Sequence, residues 1–135
     1  MTLHSGPKLA VGGVVWRGGE VLLIRRGKEP WMGQWSIPGG KVDFGETLET
    51  ALAREIREET GVEAALKGFV GAFESITAHG HYVMIDYACE WLSGEPVAAD
   101  DALDAAFFPF AEAMEKVGWD ETRNVISLSK SFLAP

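Results

Sequence analysis

Cysteine is almost absent from this 135-residue chain, where Cys89 stands alone. No intrachain disulfide is possible, and no cluster of thiolates can hold a metal ion. Long apolar runs are missing too. No window approaches the ~18 apolar residues of a membrane span, and Met1–Lys8 lacks an apolar stretch of signal-peptide length. The expected compartment is therefore the cytoplasm. Positive charge is scarce, with 12 Lys and Arg against 20 Asp and Glu and a formal net charge of −8. Such a chain as a whole repels nucleic acid polymers and anionic membranes. A phosphorylated small molecule stays open as a ligand, provided a local cationic device receives it. Metal ions held by carboxylates are one such device.

What is present is ordinary for a globular protein, 47% apolar and 24% charged. That suffices for one core, and the length suits one domain over residues 1–135. No internal repeat, linker or low-complexity tract interrupts it. Cys89 lies in the apolar run Tyr82–Leu92 and reads as a small core residue. Lys8–Trp16 and Glu20–Arg26 favour strands, and Arg17-Gly18-Gly19 between them predicts a hairpin turn. Gly27–Trp35 reads as a loop, and Ser36-Ile37-Pro38 as a short strand closed by Gly39-Gly40. Leu66–Ile76 and His81–Leu92 predict a second hairpin through Thr77–Gly80. Ala105–Phe108 predicts a further strand, and Phe110–Val117 and Glu121–Phe132 predict closing helices. A mixed sheet flanked by helices follows, of α/β or α+β class.

The clearest helix spans Thr47–Thr60. Leu48, Leu52 and Ile56 recur every four residues as an apolar stripe. Thr47 is the expected N-cap, Glu46 and Glu49 suit the positive N-terminal end, and Gly61 supplies the stop. On this helix Glu55, Glu58 and Glu59 stand at i, i+3 and i+4, so three carboxylates leave from one face. Like charges so spaced weaken a helix by about 0.2–0.5 kcal/mol per pair, which Arg54 and Arg57 offset only in part. A hard divalent cation accounts for the cluster better, because Mg²⁺ and Mn²⁺ prefer oxygen ligands. Runs such as Arg54–Glu59 also occur on solvated helix faces. Gly40, Glu46 and Gly61 at their spacings are what a solvated face does not explain.

From Gly40 to Val62 the chain resembles the Nudix box, Gly-x₅-Glu-x₇-Arg-Glu-aliphatic-x-Glu-Glu-x-Gly-aliphatic, at every defined position. Pro38-Gly39-Gly40-Lys41 ahead of it, and the runs Gly12–Val15 and Val21–Arg26, are similar to the family's leading segments. The resemblance implies an α/β/α sandwich in which the box forms a loop, helix and loop against a mixed sheet. It also implies hydrolysis of the pyrophosphate linkage in a nucleoside diphosphate derivative, with Mg²⁺ as cofactor and Mn²⁺ as its substitute. Carried over by position, Glu55, Glu58, Glu59 and the Gly40 carbonyl would ligate metal. Arg54 would orient Glu55, and Glu46 would support the helix. For the general base the family leaves Glu55, Glu58 or an acid outside the box, and Asp101 is the outside candidate.

Other side chains carry weaker signals. Arg25, Arg26, Lys28 and Lys41 offer cationic contacts to phosphates, as solvated surface charges equally would. Trp31 is placed for stacking on a base, whereas Trp35 suits packing. His79 and His81 read as a surface pair at a hairpin end rather than as zinc ligands. Resemblances to ADP-ribose pyrophosphatases and to nucleoside triphosphate pyrophosphatases compete for the substrate. Position 78 is Ala, where the former branch often has proline, while His81–Ile85 is similar to the latter. A small nucleotide is the expected partner, with a homodimer as a further possibility. The alternative to an enzyme is a Nudix-fold sensor that binds nucleotide without cleaving it, and the intact box argues against that.

Overall fold

The sheet grows from Lys8–Arg17 (β1), a run buried almost continuously from Ala10 to Trp16 because both of its faces are covered. A two-residue turn at Gly18-Gly19 leads into Glu20–Arg26 (β2), and Gly18 adopts φ +59°, the left-handed conformation such turns require. The computed structural model describes residues 6–29, 31–78 and 80–133. Met1–Ser5, Pro30, His79, Ala134 and Pro135 lie outside the described residues, and with them the readings of those positions.

β1 and β2 pair only next to their turn and then part. β2 continues antiparallel to Trp35–Ser36 (β3) and Ala102–Pro109 (β7). β1 runs antiparallel to Gly39–Lys41 (β4) and parallel to Gly80–Ser93 (β6). Glu63–Thr77 (β5) pairs antiparallel with β6 at the outer edge. The result is a seven-stranded mixed sheet. Side chains alternate across it. Val11, Val15 and Leu22 pack under helix Leu48–Thr60 (α1) with Leu52 and Ile56. Val14, Trp16, Val21 and Leu23 pack on the other face with Val125 and Ile126 of Asp120–Ser129 (α3) and Ala113 of Phe110–Lys116 (α2). Helices thus cover both faces, and each large apolar side chain so buried contributes roughly 1.5–3 kcal/mol. Cys89 is sealed in the first of these clusters, and its thiol is pushed up to about 12 by burial.

The structure corrects the expected elements in several places. Gly39-Gly40 does not close a strand; it begins one, and the extended residues before it are Trp35–Ser36. The reason is closeness to β1, since a Cβ on Gly39 would lie 2.1 Å from the Val11 carbonyl oxygen. β5 starts already at Glu63, and β7 starts at Ala102 rather than Ala105, because pairing with β6 and β2 recruits residues whose own pattern is weak. Helix α3 begins at Asp120 and ends at Ser129, where Lys130–Phe132 tightens into a 3₁₀ turn. His81 is half-buried with Nε2 sealed from solvent, so it is not a surface side chain.

Candidate active site

Helix α1 is locked at both ends. Thr47 Oγ1 accepts from the Thr50 amide at 3.1 Å, and Gly61 takes φ +73° to stop the helix. Past the stop, the Val97 amide donates to the Thr60 carbonyl at 2.9 Å and the Ala99 amide to the Glu59 carbonyl at 3.1 Å. Carbonyls otherwise orphaned at the helix end thereby anchor the loop that carries Asp100 and Asp101. The Asp101 carbonyl accepts from the Gly27 amide at 2.7 Å, which ties the same loop to the end of β2.

These ties bring box, loop and sheet around one cavity of about 740 Å³. Gly40, Lys41, Glu55, Glu59, Asp101, Arg26, Lys28 and Trp31 all line it. Glu55 reaches Gly40 so closely that a Cβ there would fall 2.5 Å from its carboxyl carbon. Glu59 Oε1 accepts from the Gly39 amide at 2.9 Å. Burial raises the Glu59 carboxyl to about 8 against that hydrogen bond, and burial also raises Glu55 against the pull of Arg54.

Arg54 is the hub behind the acids. Its Nε and Nη2 donate to the two Glu46 oxygens at 2.6 and 2.8 Å, and Nη1 donates to Glu55 at 2.9 Å and Glu58 at 3.2 Å. Nη2 also donates to the Lys41 carbonyl at 3.0 Å. The hydrogen bonds from Arg54 and the Asp43 amide hold Glu46 down to about 2. Asp43, 3.5 Å from Arg54, completes the ring of acids and was not legible in the sequence as part of it.

Other expected residues fall elsewhere. Arg25 does not line the cavity; its Nε donates to the Gly33 carbonyl at 3.0 Å. Glu58 is half-exposed and directed at Arg54 rather than at the cavity wall. Asp101 pairs with Lys28 at 3.2 Å. Trp31 has φ +64° and meets Trp119 edge-on at 5.6 Å between ring centres. Asp86, Tyr82, Met84 and Glu121 also line the cavity, and the sequence reading missed them. An acid breaking the apolar run Tyr82–Leu92 was the available signal for Asp86.

Among the described residues no three Asp, Glu, His or Cys side chains converge as they stand on one metal position. The donors nevertheless fit a hard divalent cation: carboxylates and a strand carbonyl, all oxygen, with Glu55 and Glu59 both raised by burial. An α/β/α sandwich with an oxygen-only acidic site on a cavity wall is the class so defined.

The chain belongs to the Nudix family, and the NUDIX domain model matches residues 6–128. It is 39% identical over 108 residues to an ADP-ribose pyrophosphatase of Methanocaldococcus jannaschii, covering 78% of this chain and 64% of that protein. It is 40% identical over 97 residues to a putative 8-oxo-dGTP diphosphatase of Mycobacterium tuberculosis, covering 69% of this chain and 67% of that one. The chain thus spans about two thirds of the length of these relatives. A solved MutT NUDIX hydrolase from Burkholderia pseudomallei superposes with a TM-score of 0.78 at 30% identity, over 92% of this chain and 98% of that one. Nudix hydrolases act on pyrophosphate bonds and generally require divalent cations. Among the described residues no helix is long and apolar enough to cross a membrane.

Proposed function

We propose that this chain hydrolyses the phosphoanhydride of a nucleoside diphosphate derivative, ADP-ribose-like or a nucleoside triphosphate, to a nucleoside monophosphate and a phosphorylated product. The observation that carries this reading is the seating of Glu55 and Glu59 against Gly39-Gly40 on the wall of the cavity. Glu55, Glu59, the Gly40 carbonyl and Glu58, after leaving Arg54, would hold Mg²⁺, with Mn²⁺ as a substitute. Bound there, the metal supplies countercharge to the diphosphate and lowers the pKa of a water.

The chain's own residues do the rest. Arg54 holds Glu55 from behind through a hydrogen bond of 2.9 Å, whereas Glu58 would give up its bond to Arg54 on binding metal. Arg26, Lys28 and Lys41 offer positive charge along the cavity to the phosphates, and Trp31 offers a ring face at its rim. The candidates for taking a proton from the attacking water are Glu55 and Asp101, which line the wall, and Glu58 beside it. Each is paired with a cation, Asp101 with Lys28 at 3.2 Å, Glu55 with Arg54 at 2.9 Å and Glu58 with Arg54 at 3.2 Å. The kinetics of Glu55→Gln, Glu58→Gln and Asp101→Asn therefore decide between them. The acidic surface and single buried thiol accord with a cytoplasmic enzyme acting on small nucleotides, and the open edge of β5 with a homodimer.

Incubation with Mg²⁺ and a panel of ADP-ribose, other nucleoside diphosphate sugars, dinucleotides and nucleoside triphosphates tests this. Products are identified by mass, with Glu59→Gln as the blank. Cleavage at a phosphoanhydride by the wild type and not by the variant is expected. A wild type that binds these nucleotides with metal and leaves them whole would instead be a sensor.

A further inference from the structure

Asp86 sits in the middle of β6 with a glycine opposite it on each neighbouring strand, Gly12 of β1 and Gly71 of β5. Its carboxyl fills the room left by the first, for a Cβ on Gly12 would fall 2.4 Å from Asp86 Oδ1. The side chain is 6% exposed, and Oδ1 is buried with no hydrogen-bond partner among the described residues. Burial first, and the neighbouring Glu121 with it, raise this carboxyl to about 7. A buried polar group left unsatisfied costs on the order of 1–3 kcal/mol, and a fold built for stability alone would place an apolar residue here.

Asp86 lines the same cavity as the box acids. Tyr82 and Met84 share its strand face at alternate positions, and Ile24, Ile37 and Val125 add apolar surface to the lining. Gly39, Gly12 and Asp86 are successive partners across β4, β1 and β6, so the backbones of Gly39 and Asp86 stand two strand spacings, about 10 Å, apart. Gly39 is the residue that binds Glu59. The cavity therefore has two unlike ends. One gathers box acids, metal-type donors and the cations Arg26, Lys28 and Lys41. The other is apolar, with the acids Asp86 and Glu121, and it repels phosphate.

We propose that Asp86 is a specificity-determining residue that accepts a hydrogen bond from an exocyclic amine of the substrate's nucleobase. The proposal rests on the nucleotide-hydrolase reading above. The apolar surface of Ile24, Ile37, Met84 and Val125 suits the faces of a flat base, and Asp86 among them suits a donor on its edge. With Oδ1 sealed against Gly12, one carboxyl oxygen is left for the ligand, and it selects a single donor. A substrate lacking that donor leaves the acid unpaired, which is the strongest form of discrimination available to a small site.

The test compares full-length wild type, Asp86→Asn, Asp86→Leu and Asp86→Ala on two ligand pairs. The first pair is ADP-ribose and its analogue with unsubstituted purine in place of adenine, read as KM and kcat. The second is AMP and purine riboside monophosphate, read as Kd by calorimetry, which needs no turnover. Wild type is expected to favour the amine-bearing member by roughly tenfold to a hundredfold in KM or Kd, with kcat much less affected. Asp86→Leu should erase the preference while melting at a higher temperature, because it removes an unpaired buried acid. Asp86→Asn, which keeps the shape but loses the charge and offers a donor in place of one oxygen, should narrow the preference. Asp86→Ala, which removes both oxygens, should erase it if the leucine variant misfolds. Equal affinity of wild type for both members overturns the proposal, as does a preference that survives removal of both oxygens. Absence of turnover with the Kd preference intact would count against hydrolysis alone and leave Asp86 in its role.

Discussion

The Arg54 guanidinium meets Glu46 through two hydrogen bonds, Nε to Oε2 at 2.6 Å and Nη2 to Oε1 at 2.8 Å. The fork leaves Nη1 facing Glu55 and Glu58, so Glu46 sets the angle from which Arg54 holds both. Lysine cannot reproduce that planar geometry. Arg54→Lys is expected to lower kcat/KM roughly tenfold to a hundredfold, the usual cost of losing support behind a ligand. Glu46→Gln should fall in the same range, and the double variant should cost less than the sum. Steady-state kinetics beside circular dichroism melts check this; additive losses would mean that the two residues act separately.

Glycine at position 40 serves the site, whereas glycine at position 39 serves the fold. The three atoms nearest a Cβ on Gly40 all belong to the Glu55 carboxyl, the closest at 2.5 Å, and a side chain can turn away. Gly40→Ala should therefore fold and lose activity by ~10²-fold, as misplaced catalytic groups do. A Cβ on Gly39 meets Val11 backbone at 2.1 Å, which cannot turn away. Gly39→Ala should lower the melting temperature sharply. Two variants alike in stability would undo the distinction.

Much of this was written in the sequence, for reasons that are local. The period of Leu48, Leu52 and Ile56, the Thr47 cap and the Gly61 stop fixed α1 to within a residue. The box spacing brought Glu55 and Glu59 to the cavity wall, and Glu58 to the same helix face. What the sequence hid was tertiary. Nothing local says that Gly39-Gly40 must pair with β1, since two glycines in a row suggest a turn. Asp86 looks like a solvated acid until β1 and β5 are laid beside β6. Arg25 and Arg26 are neighbours in one motif, yet strand alternation sends one toward Gly33 and the other to the cavity.

Acidity should stabilise the metal-free protein in an unusual direction. Glu59 and Asp86 are raised from ordinary values of 4.5 and 3.8 to about 8 and about 7. Between those limits the native state binds more protons than the unfolded chain, so stability falls as pH rises through the window. Glu46 works oppositely: its contribution is present above 4.5 and lost as pH falls toward about 2. The chelator-treated protein is thus expected to be most stable in mildly acidic solution. Denaturant melts from pH 4 to pH 9 should show a decline that flattens in Glu59→Gln and again in Asp86→Asn. Adding Mg²⁺ near pH 8 should restore stability to wild type more than to Glu59→Gln, because the cation favours the ionised carboxylate. A profile that rises toward pH 8 without metal would refute the assignment of these two acids.

Trp31 offers a last separation of binding from chemistry. It is 41% exposed, lines the cavity and holds a positive φ that few residues with a Cβ adopt, a strain kept in place by its surroundings. Its ring meets Trp119 edge-on and its carbonyl accepts from the Gln34 amide at 3.2 Å, ties that hold the loop without giving the exposed ring face a use. Stacking at the rim does give it one, and a stacked base contributes about 1–3 kcal/mol. Trp31→Ala is expected to raise KM tenfold or more, on the order of that stacking energy, with kcat within about threefold of wild type. Trp31→Phe, which keeps an aromatic face, should recover most of the loss. If Trp31→Ala instead lowers kcat with KM unchanged, the ring orders the loop around the acids rather than the base.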